Sequence, residues 1–281
     1  MGKQEIINYY SDCKVDFKTL YRLEKAWGMH AAYFEDGDRS LTKGILKMNE
    51  QIIIHAPITE GITVLDAGCG YAGTAMYIAE RIKCHIEAIT IVEEQVQTAT
   101  KIIKERKLDE YINISVRDYT NTGFPDNTFD VVYGLESICY ADKPAFLKET
   151  YRILKPGGVL IIYDGFNSKE KDEYTSDEWK TMSYCLRGWA VDSLETGRFY
   201  IEESKKAGFK DQEYVNITDK VIKTSKYLHQ AAIPGYFFDF LGRLFKKRTE
   251  YNKGNVEAAR YQYICHKKHL CEYGYFRAVK G

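Results

Sequence analysis

The 281-residue chain has no surplus charge of either sign: Lys+Arg and Asp+Glu are both 40. That balance leaves no basic footprint of a dedicated nucleic-acid binder, and no nucleic-acid partner is expected. C-x-x-C pairs are absent. The seven cysteines (Cys13, Cys69, Cys84, Cys139, Cys185, Cys265, Cys271) form an odd, scattered set, which reads as reduced thiols and excludes a disulfide framework or a zinc site. No Asp/His cluster has metal-ligand spacing, so no resident metal is expected. There is no signal-peptide pattern and no apolar run of 18 residues, so stable membrane insertion is not expected and the cytoplasm is the expected location. Internal repeats and low-complexity tracts are missing too.

What the chain has in quantity is tyrosine, 23 of them. Such phenols can line a pocket that is apolar yet dotted with hydroxyls, although any single one is more readily a half-buried surface residue. The order of elements is regular. Ile62–Asp66 is a short apolar run ended by glycines, and helical spacing follows over Tyr71–Ile82. Strand patterns recur at His85–Val92, Tyr111–Val116, Phe129–Tyr133 and Val159–Tyr163, with helices at Glu93–Arg106 and Ala145–Leu154, the latter stopped by Lys155-Pro156-Gly157-Gly158. This alternation predicts an α/β fold: a doubly wound, Rossmann-like, mostly parallel sheet with helices on both faces. Two flanks depart from the rhythm. Residues 1–60 read as an N-terminal helical cover, with Leu41, Ile45, Met48 and Ile52 as one apolar stripe. Residues 61–281 read as the catalytic domain, carrying a late helical insertion at about 165–270 that holds one strand, Glu213–Ile217. The last segment, Tyr273–Lys280, alternates like an antiparallel edge strand.

Val64–Met76, VLDAGCGYAGTAM, contains G-x-G-x-x-G in Gly68, Gly70 and Gly73. Such a loop lets a cofactor lie against bare backbone, and a dinucleotide is the usual occupant. A nicotinamide site, however, wants an acid about 20 residues beyond the glycines to hold the ribose, and Thr90 stands there. A carboxylate, Asp66, instead precedes the glycines, where it suits a cofactor with a cationic amino-acid tail and no phosphate. S-adenosyl-L-methionine has that character: Asp66 would organise the loop and the ammonium, while Gly68, Cys69 and Gly70 admit the amino-acid portion.

Over about residues 45–165 the chain resembles the class I S-adenosylmethionine-dependent methyltransferases. Val64–Gly70 is similar to their first motif, and Arg117-Asp118-Tyr119 to the loop in which the acid, here Asp118, receives the adenine amino group beside Tyr119. Phe124–Val132 and Arg152–Gly158 resemble the later motifs. Ile89–Gln95 resembles the version found in tocopherol, cyclopropane-fatty-acid and geranyl-diphosphate methyltransferases, which implies ribose contacts for Thr90 and Gln95; an exposed first-turn helix residue is the plainer expectation for Gln95. Gly134–Phe146, GLESICYADKPAF, resembles the segment that carries a catalytic glutamate in the geranyl-diphosphate enzymes and, more loosely, a stretch of the sterol methyltransferases. The resemblance implies C-methylation of a small, largely apolar, isoprenoid-like acceptor (prenyl diphosphate, sterol or prenylated ring). Glu136 would be the base and Tyr140 its neighbour, because CH3+ added to an alkene leaves a carbocation that a carboxylate and aromatic faces stabilise. Glu136 as a mere cofactor contact is the alternative.

The N-terminal segments N-Y-Y and Trp27–Asp38 resemble the lid of the same group and offer Tyr9, Tyr10, Trp27, His30 and Tyr33 as substrate-pocket residues; ordinary helix packing is the alternative for each. O- or N-methylation of a small metabolite or lipid headgroup, with His30 as base, stays open, as does a catalytically silent cofactor-binding subunit. A nucleic-acid enzyme is disfavoured, since no N-P-P-Y-type motif follows strand four. Mg2+ would enter only with a diphosphate substrate. Ile233–Arg248 carries an aromatic run before Lys246, Lys247 and Arg248. It is expected as a buried lid helix with a solvated basic end, a membrane-surface contact being the alternative. A homo-oligomer is compatible with all of this.

Overall fold

The computed structural model describes residues 2–245 and 247–281. Four helices come first: α1 (Lys3–Asp12), α2 (Lys14–Leu20), the short α3 (Leu23–Ala26) and α4 (Leu41–His55). Then follow β1 (Thr63–Ala67), α5 (Gly73–Ala79), β2 (His85–Thr90), α6 (Glu93–Glu105), β3 (Ile112–Val116), β4 (Phe129–Leu135), α7 (Lys143–Ile153) and β5 (Leu154–Asn167). The remainder is α8 (Ser176–Gly188), α9 (Gly197–Ala207), β6 (Phe209–Asn216), α10 (Thr218–Leu244), α11 (Glu250–Lys267) and β7 (Cys271–Lys280).

The strands form one seven-stranded sheet in the order β3-β2-β1-β4-β5-β7-β6. The pairs β1–β2, β1–β4, β2–β3 and β4–β5 are parallel, and β7 runs antiparallel to both its neighbours. Alternate residues feed opposite faces, as the pleat requires. Val64, Val131 and Ile161 join Met48, Ile52, Ala75, Ile78 and Ile102 on one side, whereas Leu65, Val132 and Leu160 join Phe146, Leu147 and Tyr200 on the other. A sheet covered on both faces can afford the near-continuous apolar strands seen in β1 and β4. Helix α7 starts where Asp142 accepts the Ala145 amide at 3.0 Å, with a proline in its first turn. Asp142→Ala is expected to cost about 1 kcal/mol, read as a lower urea midpoint at unchanged m.

Two expectations are corrected here. The last strand is not at the edge: β7 pairs from Val279 to Cys271 with β5 and from Lys280 to Gly274 with β6, so β6 takes the outer position. Its apolar alternation reflects burial between two partners contributed from far along the chain. Secondly, Ile233–Arg248 is not a buried helix with a solvated basic end. Ile233, Phe237, Phe238, Phe240, Leu244 and Phe245 are exposed, while Arg248 bonds Asp16 at 2.8 and 2.9 Å and Asp239 at 2.7 Å. Lys246 lies outside the described residues, and Asp239 is buried because Arg248 neutralises it.

The two irregular flanks meet above the carboxyl ends of the strands. Tyr9, Cys13, Phe17 and Tyr21 from α1–α2 pack with Leu228 and Ala232 of α10 and Val256 and Ala259 of α11. Helix α4, by contrast, sends Met48 and Ile52 into the core of the sheet. Among the described residues no helix is long and apolar enough to cross a membrane.

Candidate active site

Two adjoining cavities, both partly open to solvent, lie beneath α1, with α2, α8 and α11 walling the second. The first spans about 790 Å³ of space around the glycine loop, solvent at its mouth included, and is lined by Asp66, Gly68, Cys69, Gly70, Thr90, Gln95, Tyr119, Trp27 and His30, among others. The second, about 800 Å³, is lined by aromatic and apolar side chains with a few acids. Tyr10, Met29, Glu136 and Tyr140 border both.

The first cavity is built by the turn after β1. Gly68 has φ +88° and Gly70 φ +54°, conformations that cost a residue with a Cβ. A Cβ on Gly68 would sit 2.4 Å from Ser137 Cβ, and one on Gly73 would sit 2.4 Å from the Trp27 carbonyl oxygen. These two close approaches let the loop after β4 and the cover press onto the turn. Asp66, 3% exposed, has Oδ2 without a hydrogen-bond partner, and burial pushes its carboxyl up to about 7. An unpartnered acid oxygen in the wall of a glycine-lined cavity is an unmet demand for a donor or a cation. The donor set therefore fits S-adenosylmethionine: a carboxylate for the ammonium, bare backbone for the amino-acid tail, hydroxyl and amide for the ribose.

Thr90 Oγ1 donates to Gln95 Oε1 at 2.8 Å, and both are buried, so Gln95 is not the exposed helix residue that its first-turn position suggests. Tyr119 donates to the Ser137 carbonyl at 2.9 Å. Asp118 reaches neither cavity. Its carboxylate lies 2.5 Å from Lys3 Nζ and accepts the amide and hydroxyl of Thr120 at 2.8 Å.

Glu136 follows β4 in the left-handed region, φ +51°, an unusual backbone for a residue with a Cβ and one that concentrates at functional sites. Its Oε1 accepts the Ala31 amide at 2.6 Å and the Tyr273 hydroxyl at 2.8 Å. Burial pushes its carboxyl up to about 7 despite both bonds, with Asp164 adding to the rise. Tyr10 donates to the Tyr140 hydroxyl at 3.3 Å, and Tyr140 donates to the Trp189 carbonyl at 2.9 Å, so the two rings stand as a hydroxyl-tipped partition between the cavities.

The aromatic lid residues separate. Tyr9 lines the second cavity, its hydroxyl spent on Asn255 at 3.1 Å. Trp27 and His30, expected at the substrate, line the glycine-loop cavity instead. Burial pushes His30 down to about 4, so it is a neutral wall residue with its Nε2 unpartnered. Tyr33 borders neither cavity: its amide is fixed on the Gly44 carbonyl at 2.9 Å and its ring packs on the sheet core. Residues that the sequence did not single out are Tyr273 and Asp164. Asp164, 4% exposed, directly follows the expected fifth strand, where the open-sheet rule already places ligands. Tyr273 carries no local signal at all.

Residues 65–162 match the family model described as a methyltransferase domain. The sterol 24-C-methyltransferase of Eremothecium gossypii is 30% identical over 192 residues, 66% of this chain and 50% of that protein. The chain spans about half the length of the curated relatives it matches. The cyclopropane synthase MmaA2 from Mycobacterium tuberculosis shares the fold with a TM-score of 0.84 at 15% identity, covering 99% of both chains. A geranyl diphosphate methyltransferase solved in complex with GPP and sinefungin gives 0.80 at 17% identity, again covering 99% of both. The resemblance to class I methyltransferases thus holds in the domain match, in the sequence relatives and in the fold.

Proposed function

We propose that the chain is an S-adenosylmethionine-dependent methyltransferase that adds a methyl group to carbon of a small, largely apolar, isoprenoid-like acceptor. The observation that carries it is the placement of Glu136 on the boundary between a glycine-loop cavity and an aromatic one. Asp66, Gly68, Cys69, Gly70, Thr90, Gln95 and Tyr119 would hold the cofactor, which supplies a methyl group on a cationic sulfur. The second cavity would hold the acceptor against the Tyr10–Tyr140 partition, and the cover of residues 1–60 with the late helical insertion would exclude water. Glu136, fixed by the Ala31 amide and the Tyr273 hydroxyl, stabilises positive charge on the acceptor and takes its proton. Among the described residues no group of three or more His, Cys, Asp or Glu could hold a metal.

The test is incubation with methyl-labelled cofactor and a panel of sterols, prenylated rings and prenyl alcohols, with mass spectrometry locating the label. Label on oxygen or nitrogen would overturn the carbon assignment; tight NAD binding with no affinity for S-adenosylmethionine would overturn the whole reading.

Cofactor binding should also move protons. Burial holds Asp66 and Glu136 at about 7, so both are partly protonated near neutrality. A cation placed beside them lowers their pKa and expels protons. Calorimetry in buffers of different ionisation heat is expected to show proton release at pH 6–7, fading by about pH 9, and diminished in Asp66→Asn. A binding enthalpy independent of buffer at pH 6.5 would contradict the ammonium site.

A further inference from the structure

No cation stands among the described residues that line the second cavity with its acids; burial raises the Asp164 carboxyl more than the Lys143 ammonium, outside that lining, lowers it. Glu136, Asp164 and Glu272 line the cavity, and among its described lining residues there is no lysine or arginine. Its one histidine, His266, is pushed down to about 4 by burial and bonds the Ser225 hydroxyl at 2.8 Å, so it is neutral. The nearby ammonium of Lys143 donates to the carbonyls of Cys139 at 2.8 Å and Ser193 at 3.2 Å, and Lys143 borders neither of the two cavities. The rest of the wall is aromatic, with Tyr9, Tyr10, Phe17, Tyr21 and Trp189 offering ring faces or edges.

Such a chamber is hostile to anions. At an effective dielectric constant near 20, one like-charge contact at about 6 Å lowers affinity on the order of 100-fold. It is suited to cations, which ring faces and carboxylates both attract. Asp164 is placed to act on the acceptor alone. It borders the second cavity and not the first, whereas Glu136 borders both. Its side chain is fixed by the amides of Cys139 at 2.9 Å and Gly165 at 2.8 Å.

Resting on the methyltransferase reading above, we propose that the second cavity selects acceptors that carry no anionic group and gain positive charge as they are methylated, and that Asp164 is the specificity-determining carboxylate. In such a transfer an alkene or amine electron pair forms the new bond to the methyl carbon. The carbon–sulfur bond breaks with its electron pair left on sulfur, and the positive charge passes to the acceptor, which later yields a proton to a carboxylate. The charge so crosses from the first cavity, where Asp164 does not act, into the second, where it does. Stabilisation that grows along the reaction path in this way raises turnover rather than ground-state binding alone. Diphosphates, carboxylates and phenolates meet only repulsion.

The experiment compares three ligands of one chain length, decyltrimethylammonium, decanol and decyl phosphate, by calorimetry at pH 7.5 on the full chain saturated with S-adenosylhomocysteine. The expected affinity order is ammonium, alcohol, phosphate, with at least about a hundredfold between the ends. Asp164→Asn, which keeps an oxygen for the Cys139 amide, is expected to narrow that span about tenfold without changing affinity for S-adenosylhomocysteine; a thermal melt checks its folding, and the unmodified protein's ligand order decides the matter if it does not fold. Decyl phosphate binding as tightly as the ammonium, binding of none of the three, or an unchanged span in folded Asp164→Asn would overturn the proposal. Failure of S-adenosylhomocysteine to bind would instead overturn the methyltransferase reading itself. Turnover separates the two chemistries that share a cationic product: label on an alkene carbon upholds the carbon assignment, label on an amine nitrogen overturns that assignment but not the cavity's selectivity, and label on a carboxylate overturns the selectivity.

Discussion

Glu136→Gln is expected to leave cofactor binding nearly intact while lowering turnover about 10²–10⁴-fold, the range for loss of a general base. The substitution keeps the shape and still offers an oxygen to the Ala31 amide and the Tyr273 hydroxyl, which bond Oε1 at 2.6 and 2.8 Å. It removes the charge, and the charge matters most when a cation stands on the acceptor. Calorimetry with S-adenosylhomocysteine and single-turnover rates with a carbon acceptor separate the two effects. The pH profile adds a second check. Burial holds Glu136 at about 7 in the free protein, so kcat/KM at low cofactor should rise with pH through that region as the base ionises, whereas at saturation the cofactor's cation moves the rise to lower pH. The rise should be lost in the variant. Full rate in Glu136→Gln would return the residue to cofactor positioning.

Gly70→Arg is expected to abolish binding of S-adenosylmethionine and its demethylated product. Gly70 has φ +54°, and a Cβ there would already stand 3.1 Å from Met29 Cε. The guanidinium stem would fill the first cavity and set a cation where the proposed site holds the cofactor's ammonium, beside Asp66. Gly70→Ala carries the backbone penalty, on the order of 1–2 kcal/mol, and the tight Met29 contact but no long side chain, and should weaken binding without removing it. Gly61→Arg is the control for a left-handed site in open space: φ is +81° and nothing lies within 4 Å of its Cβ. It should bind cofactor normally. Retained affinity in Gly70→Arg, measured by calorimetry, would move the cofactor away from the glycine loop.

Local pattern carried the sequence a long way where function is built from contiguous residues. Strand, glycine turn and helix from Thr63 to Ala79 are one such unit, and Glu136 was legible because it stands in a short motif directly after β4. Direction was not legible. An aromatic-rich lid says that rings are available, but whether Tyr33 turns to a cavity or to the sheet depends on the Gly44 carbonyl that holds its backbone. Partners distant in sequence were also hidden: Tyr273 reaches Glu136 across 137 residues, and the inner place of β7 depends on β6, contributed by the irregular flank. Exposure of the α10 aromatics was misjudged for a related reason. Hydrophobicity all around a helix predicts burial, but only Val221, Thr224, Ser225, Leu228, Ala232 and Asp239 of α10 find cover.

The contact between Lys3 and Asp118 has a consequence for traffic. It ties the first turn of α1 to the loop beside Tyr119, and the lysine side chain is 67% exposed. Helix α1 also supplies Tyr10 to the walls of both cavities, so loosening that tie would loosen a wall common to the two of them. An exposed ion pair is screened as ionic strength rises. Added salt should therefore quicken the exchange of cofactor for its spent form, and a Lys3→Gln chain should show that fast exchange already in dilute buffer, its rate nearly indifferent to salt.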